Sequence, residues 1–174
     1  MKPSAMSSLI SRPASLSDLD IISEIVFSCA TRLADRHYPD WSNYYTIDRL
    51  KEKLEKQIVF LFYEDNLAIA VVFLSDNDLY YYSKIDVAKF ANPKAKGIYI
   101  STLSVRPECQ GRGITSQIIS FCEKYTLQND GKYLRLDCFG EDELLVNFYK
   151  KNGFVVVGPM SEEPKYLLME KPLT

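Results

Sequence analysis

The chain has 174 residues, 47% of them apolar and 25% charged, which fits one globular domain over residues 1–174 and excludes collagen-like, coiled-coil and disordered chains. Lys plus Arg number 21 against 23 Asp plus Glu, a net charge of −2 that offers no electrostatic pull on nucleic acid or an anionic membrane. Cys29, Cys109, Cys122 and Cys138 contain no Cys-x-x-Cys pair, His37 is the single histidine, and residues 1–8 lack the apolar run of a secretory signal. The expectation is a cytoplasmic protein with reduced thiols and no metal.

In chain order, Leu9 to Pro13 reads as a short first strand, followed by Ser17 and Asp20 at the spacing of a capping box. Ile22, Ile25, Val26, Cys29 and Leu33 recur at helical spacing, and Ile47, Leu50 and Leu54 mark a second helix beyond an aromatic irregular segment, His37 to Tyr45. The apolar runs Ile58 to Tyr63 and Leu67 to Leu74 are too short to span a bilayer and flank Glu64-Asp65-Asn66. They predict a hairpin covered on both faces.

Asp76 to Gly97 is an excursion that carries Tyr80-Tyr81-Tyr82 and a helical turn through Ala88. Ile98 to Val105 and Tyr133 to Phe139 predict two strands; a helix between them presents Ile114, Ile118, Phe121, Cys122 and Tyr125 on one face. Strands joined that way are parallel neighbours. Glu143 to Asn152 is a last helix, with Leu144, Leu145, Phe148 and Tyr149 as its apolar face and Gly153 as its left-handed cap. Two strands, Phe154 to Val157 and Tyr166 to Glu170, follow on either side of Gly158-Pro159 and an acidic loop.

The segment Val105-Arg106-Pro107-Glu108-Cys109-Gln110-Gly111-Arg112-Gly113-Ile114-Thr115-Ser116 is a strand, a turn and a helix start. Glycines at 111 and 113 let main chain approach a ligand, and free N–H groups at a helix N-terminus suit a phosphate. Arg112 is either a charge-assisted phosphate contact or a solvated loop cation. No Gly-Lys-Ser/Thr exists for a P-loop. A dinucleotide fingerprint is a remote rival: Ser116 replaces its third glycine, and too little chain follows Asp137 for a doubly wound sheet.

Gln110-Gly111-Arg112-Gly113-Ile114-Thr115 resembles the Gln/Arg-x-x-Gly-x-Gly/Ala pyrophosphate motif of the GNAT superfamily of acyl-CoA-dependent N-acyltransferases, with Thr115 where Gly or Ala is usual. Tyr149-Lys150-Lys151-Asn152-Gly153-Phe154 is similar to that family's Tyr-x-Lys-x-Gly-Phe signature. The resemblance implies a mixed α+β (α/β) fold with a central mixed, twisted sheet of about seven strands, helices on both faces and splayed strands four and five. It implies acetyl-CoA as cosubstrate, with main chain of Leu103, Ser104 and Val105 on the pantetheine and N–H groups from Gln110 through Gly111, Arg112, Gly113, Ile114 and Thr115 on the pyrophosphate. Asp142 stands at the position of an asparagine that touches the pantetheine, and Tyr149 at that of the proton donor.

Amide formation from a thioester needs a neutral amine, charge stabilisation at the carbonyl oxygen and a proton for the thiolate. The strand Ile98 to Ser104 has no acid, so Asp137 is the candidate to hold the amine or relay its proton, against a structural role beside Arg135. His37 is a loop residue or a base, and Cys109 and Cys138 lack an adjacent base for nucleophilic chemistry. Trp41 to Tyr45 and Tyr80 to Tyr82 are candidates for an acceptor pocket ending at Asp137, or else cover the sheet or a homodimer contact. The reading is an N-acetyltransferase acting on a primary amine of a small molecule or peptide. A non-catalytic CoA-binding regulatory or interaction module on the same fold is the alternative.

Overall fold

The computed structural model describes residues 9–34, 38, 41, 43–77 and 82–174. The expected elements form in order: β1 (Ile10–Pro13), α1 (Leu19–Ala34), α2 (Ile47–Lys56), β2 (Ile58–Glu64), β3 (Leu67–Ser75), α3 (Lys84–Val87), β4 (Gly97–Val105), α4 (Ile114–Gln128), β5 (Tyr133–Phe139), α5 (Glu143–Lys151), β6 (Val155–Pro159) and β7 (Tyr166–Pro172). They build a seven-stranded sheet in the order β1-β2-β3-β4-β5-β7-β6 with helices around it. The parallel pairing runs from Gly97 opposite Tyr133 to Ile100 opposite Leu136, while β4 itself continues to Val105 and β5 to Phe139.

By internal packing the chain forms two units. The first holds the described residues up to Phe73 together with Thr102–Gln117. Ile22, Ile25 and Val26 of α1, Leu50 of α2, Val59 and Leu61 of β2, and Val71 and Phe73 of β3 make its core. Burying each such side chain contributes roughly 1.5–3 kcal/mol. Asp65 and Asn66 take φ of 47° and 66°, the left-handed pair that closes a two-residue hairpin between β2 and β3. The capping interaction lies two residues before the expected Ser17 and Asp20: the Asp18 carboxylate accepts the Ser15 N–H at 2.9 Å. Asp18 is drawn there by Arg12, whose guanidinium lies 2.6 Å away and holds that carboxyl below the usual carboxylate range.

The second unit is Leu74–Ser101 with Ile118–Thr174. Its centre is charged. Arg135, fully buried on β5, sits in register with Glu170 of β7, Nε to Oε2 being 3.4 Å. The guanidinium also donates to Tyr99 Oη and to the Asn92 carbonyl, each at 2.8 Å, and lies 4.5 Å over the Phe90 ring. A Cβ on Gly97 would come within 2.9 Å of Arg135 Nη1, so a side chain at this strand position would displace the buried guanidinium. Tyr82, Phe90, Tyr99 and Leu168 pack as an apolar cluster.

Two elements differ from the sequence expectation. The strand expected to stop at Val157 runs on through Gly158-Pro159, because Val156 pairs with Met169 and Gly158 with Leu168, leaving Val157 as the extra residue of a bulge. In α5, Val146 is the buried residue and Leu144 is 84% exposed. Two positions along a helix are about 200° around its axis, so a face that buries Val146 turns Leu144 to solvent.

Candidate active site

The glycine turn is built from behind by side chains of the first unit. Arg106, at the end of β4, donates from Nε to the Ala68 carbonyl at 2.7 Å and from Nη1 to Glu24 at 2.6 Å, and its N–H reaches the Ile69 carbonyl at 2.8 Å. From α1, Cys29 Sγ donates to the Val105 carbonyl at 3.0 Å and Arg32 to that of Pro107 at 2.9 Å. Gln110 Nε2 also donates to the Val105 carbonyl, at 2.9 Å, and the Gln110 N–H to the Pro107 carbonyl, at 3.3 Å. Gln110 therefore braces the turn through its side chain and main chain alike.

Beyond it the main chain is open. Gly111 and Gly113 have φ of 77° and 76°, and a Cβ on either would meet nothing within 4 Å. Among the described residues, no group accepts a hydrogen bond from the N–H groups of Gly111 through Ser116; the first return bond of α4 runs from Gln117 to Gly113. Successive free N–H groups around left-handed residues, at a helix N-terminus, form a concave donor array that fits an anion. Arg112 is engaged: its Nη1 and Nη2 meet Glu64 at 2.9 and 2.7 Å, and that carboxylate raises the guanidinium pKa further. Thr115, in the first turn of α4, is half-buried.

In the second unit, Tyr149 projects from α5 with its ring edge-on to Phe148 and Phe154, at centroid distances of 5.4 and 5.6 Å. The ring is half-buried. Desolvation holds the phenol well above its ordinary range, and Cys138, Asp137 and Cys122 push in the same direction. Asp137, on β5, accepts a hydrogen bond from Tyr82 Oη at 2.8 Å; the partner of Arg135 is Glu170 rather than Asp137. Asp142 caps α5, its Oδ1 accepting the Leu145 N–H at 3.0 Å. The neighbouring Cys138 thiol is pushed up to about 12, by burial first and then by Asp137.

The aromatic segments divide. Tyr45 is buried in the first unit's core, stacked on Trp41 at 5.6 Å with its hydroxyl 3.0 Å from Thr102 Oγ1. Tyr82 is buried in the second. Both rings are thus core residues, whereas Tyr80, Tyr81 and His37 lie outside the described residues. The spacing had no means of exposing Glu24, Arg32 and Glu64 as supports of the turn, since each reaches its partner from a distant element. Among the described residues, no helix is long and apolar enough to cross a membrane, and no group of three His, Cys, Asp or Glu is placed to hold a metal.

The sequence profile of the acetyltransferase (GNAT) family matches residues 23–154. The chain is 27% identical over 166 residues to the uncharacterized N-acetyltransferase YesJ of Bacillus subtilis, covering 93% of this chain and 89% of that one. Its fold is shared with a GNAT-family acetyltransferase of Listeria monocytogenes, at a TM-score of 0.77 and 20% identity over 97% of this chain and 99% of that one. The PaiA N-acetyltransferase of Thermoplasma acidophilum, solved in complex with coenzyme A, superposes at a TM-score of 0.72 and 18% identity, over 95% and 99% of the two chains. With two sequence signatures, the sheet order and the profile match in agreement, the chain belongs to the acetyltransferase (GNAT) family and is an acyltransferase.

Proposed function

We propose that this chain, acting as one domain, transfers acetyl from acetyl-CoA directly to a primary amine of a small molecule or peptide. The observation that carries the proposal is the run of N–H groups from Gly111 to Ser116 that have no acceptor among the described residues, with open space over both glycines. A bound pyrophosphate would take up donors that otherwise lack acceptors. Arg112 would add the N–H groups that Glu64 does not take. Because the Val105 carbonyl already accepts two donors, pairing with the pantetheine falls chiefly to Leu103 and Ser104. The capping duty of Asp142 competes with any pantetheine contact.

Acetyl-CoA supplies the activated thioester. Asp137 holds the acceptor's ammonium and takes up, directly or through water, the proton whose loss frees the nitrogen lone pair. As the C–N bond forms and the C–S bond breaks, Tyr149 gives its proton to the leaving sulfur. The second amine proton leaves the new amide nitrogen and restores the phenol. Asp137 then passes its proton to solvent, so the sum is ammonium plus acetyl-CoA to amide, CoA thiol and one proton. The raised phenol pKa keeps Tyr149 protonated, as a donor must be, across the physiological range.

Isothermal calorimetry of acetyl-CoA against Gly113→Val tests the turn. A β-branched side chain disfavours φ of 76°, and its bulk occupies the open space above the turn. The expected result is acetyl-CoA affinity weakened beyond about tenfold, consistent with the loss of charge-assisted main-chain bonds of roughly 1.5–3 kcal/mol each, with far-ultraviolet dichroism retained. Unchanged affinity in the folded variant overturns the site. Release of CoA thiol on addition of primary amines tests the transfer itself.

A further inference from the structure

We propose that Tyr82 is a positioning residue for Asp137: its buried hydroxyl fixes the carboxylate that receives the acceptor's ammonium. The inference rests on the reading of Asp137 given above and extends it to a residue that touches neither substrate. The Tyr82 residue is 4% exposed, and its ring is held on two sides, 5.3 Å from that of Tyr99 and 6.2 Å from that of Phe90. Tyr99 in turn accepts from the buried Arg135 at 2.8 Å. The phenol therefore has little rotational freedom, and its oxygen stands 2.8 Å from Asp137 Oδ1.

A hydrogen bond from a neutral hydroxyl to a carboxylate favours the charged form and orients it. Asp137 is half-buried on β5, where an acidic side chain without such a donor would lose much of its hydration. With the donor fixed by its surroundings, the carboxylate is presented in one orientation rather than several, as a group that must meet an ammonium requires. Asp137 and Cys138 both act on the Tyr149 phenol, so the field of this carboxylate is felt at the proposed proton donor. The chemistry that fits is a cationic amine, met by a pre-oriented anion.

The test is a double-mutant cycle of Tyr82→Phe and Asp137→Asn, with butylamine and trialanine as probe acceptors. Phe retains the ring and its packing and removes only the hydroxyl. The expected result is an acceptor KM, or kcat/KM where saturation is not reached, impaired about tenfold by Tyr82→Phe, the size expected of a hydrogen bond to a charged group. The KM for acetyl-CoA and the melting temperature stay parental. On the Asp137→Asn background the same change adds less than about twofold, because the interaction it removes is already altered.

A tenfold loss in both backgrounds, or none in Tyr82→Phe while Asp137→Asn is impaired, overturns the positioning role alone. Parental acceptor kinetics in Asp137→Asn overturn the reading of Asp137 and the inference with it. A second measurement requires no turnover: the Asp137 carboxyl carbon resonance at neutral pH shifts in Tyr82→Phe if the hydrogen bond persists in solution. An unmoved resonance overturns the proposal.

Discussion

The glycine turn and the Asp137–Tyr149 region solve different problems. In the turn the groups proposed to bind are main-chain N–H donors, and side chains such as Arg106, Cys29 and Arg32 hydrogen-bond to carbonyls around them. Around Asp137 and Tyr149 the groups proposed to act are side chains, the Tyr149 phenol shifted by burial and the Asp137 carboxylate hydrogen-bonded by the Tyr82 phenol. A donor array tolerates many identities at its non-glycine positions, since every residue but proline supplies an N–H. An acid–base pair tolerates almost none, because its reactivity resides in one proton or one charge.

The largest expected effect separates chemistry from binding. Tyr149→Phe keeps the ring between Phe148 and Phe154 and removes the proton, so kcat should fall about a hundred- to ten-thousandfold with acetyl-CoA affinity little changed. Single-turnover kinetics check this, and a kcat within twofold of the parent would return Tyr149 to a packing role. The pH profile of the parent carries a matching sign. A folded phenol pKa above the usual value leaves the donor protonated as pH rises, so no alkaline loss of rate should come from Tyr149 below about pH 10.

A smaller effect, on stability, contrasts the supports of the two regions. Glu170→Leu leaves the fully buried Arg135 without its anion, and losing one partner of a buried pair typically costs about 3–5 kcal/mol. Urea unfolding should show a lower midpoint at constant slope. Arg106→Met removes the donor to the Ala68 carbonyl and is expected to cost about 1–3 kcal/mol. Its diagnostic is affinity: loosening the end of β4 should weaken acetyl-CoA several-fold, whereas in Glu170→Leu, measured where the protein remains folded, affinity should hold. Equal effects of both variants on affinity would erase the contrast between the regions.

Much was legible in sequence because it is local. Helical spacing in 22–33 and 114–125, the Asp65-Asn66 hairpin, Gly153 at φ of 89° after α5 and the left-handed Gly111 and Gly113 depend on neighbours within a few positions. The two signatures, read together, also convey the family. The phase of α5 was not legible: Leu144, Leu145, Phe148 and Tyr149 match a helical stripe, and only packing turns Val146 inward and Leu144 out.

Long-range pairings belong wholly to tertiary structure. Tyr82 and Asp137 are 55 positions apart, Arg112 and Glu64 are 48 apart, and Arg135 and Glu170 are 35 apart. Nothing in the local pattern marks these as partners, because hydrogen bonding and charge pairing depend on distance in space, which strand register and helix packing set. Residue order alone determined where the glycine turn would form, since backbone conformation there follows from two glycines and a helix start. Which side chains brace that turn, and which phenol stands against Asp137, was decided when the sheet brought distant segments within hydrogen-bonding reach.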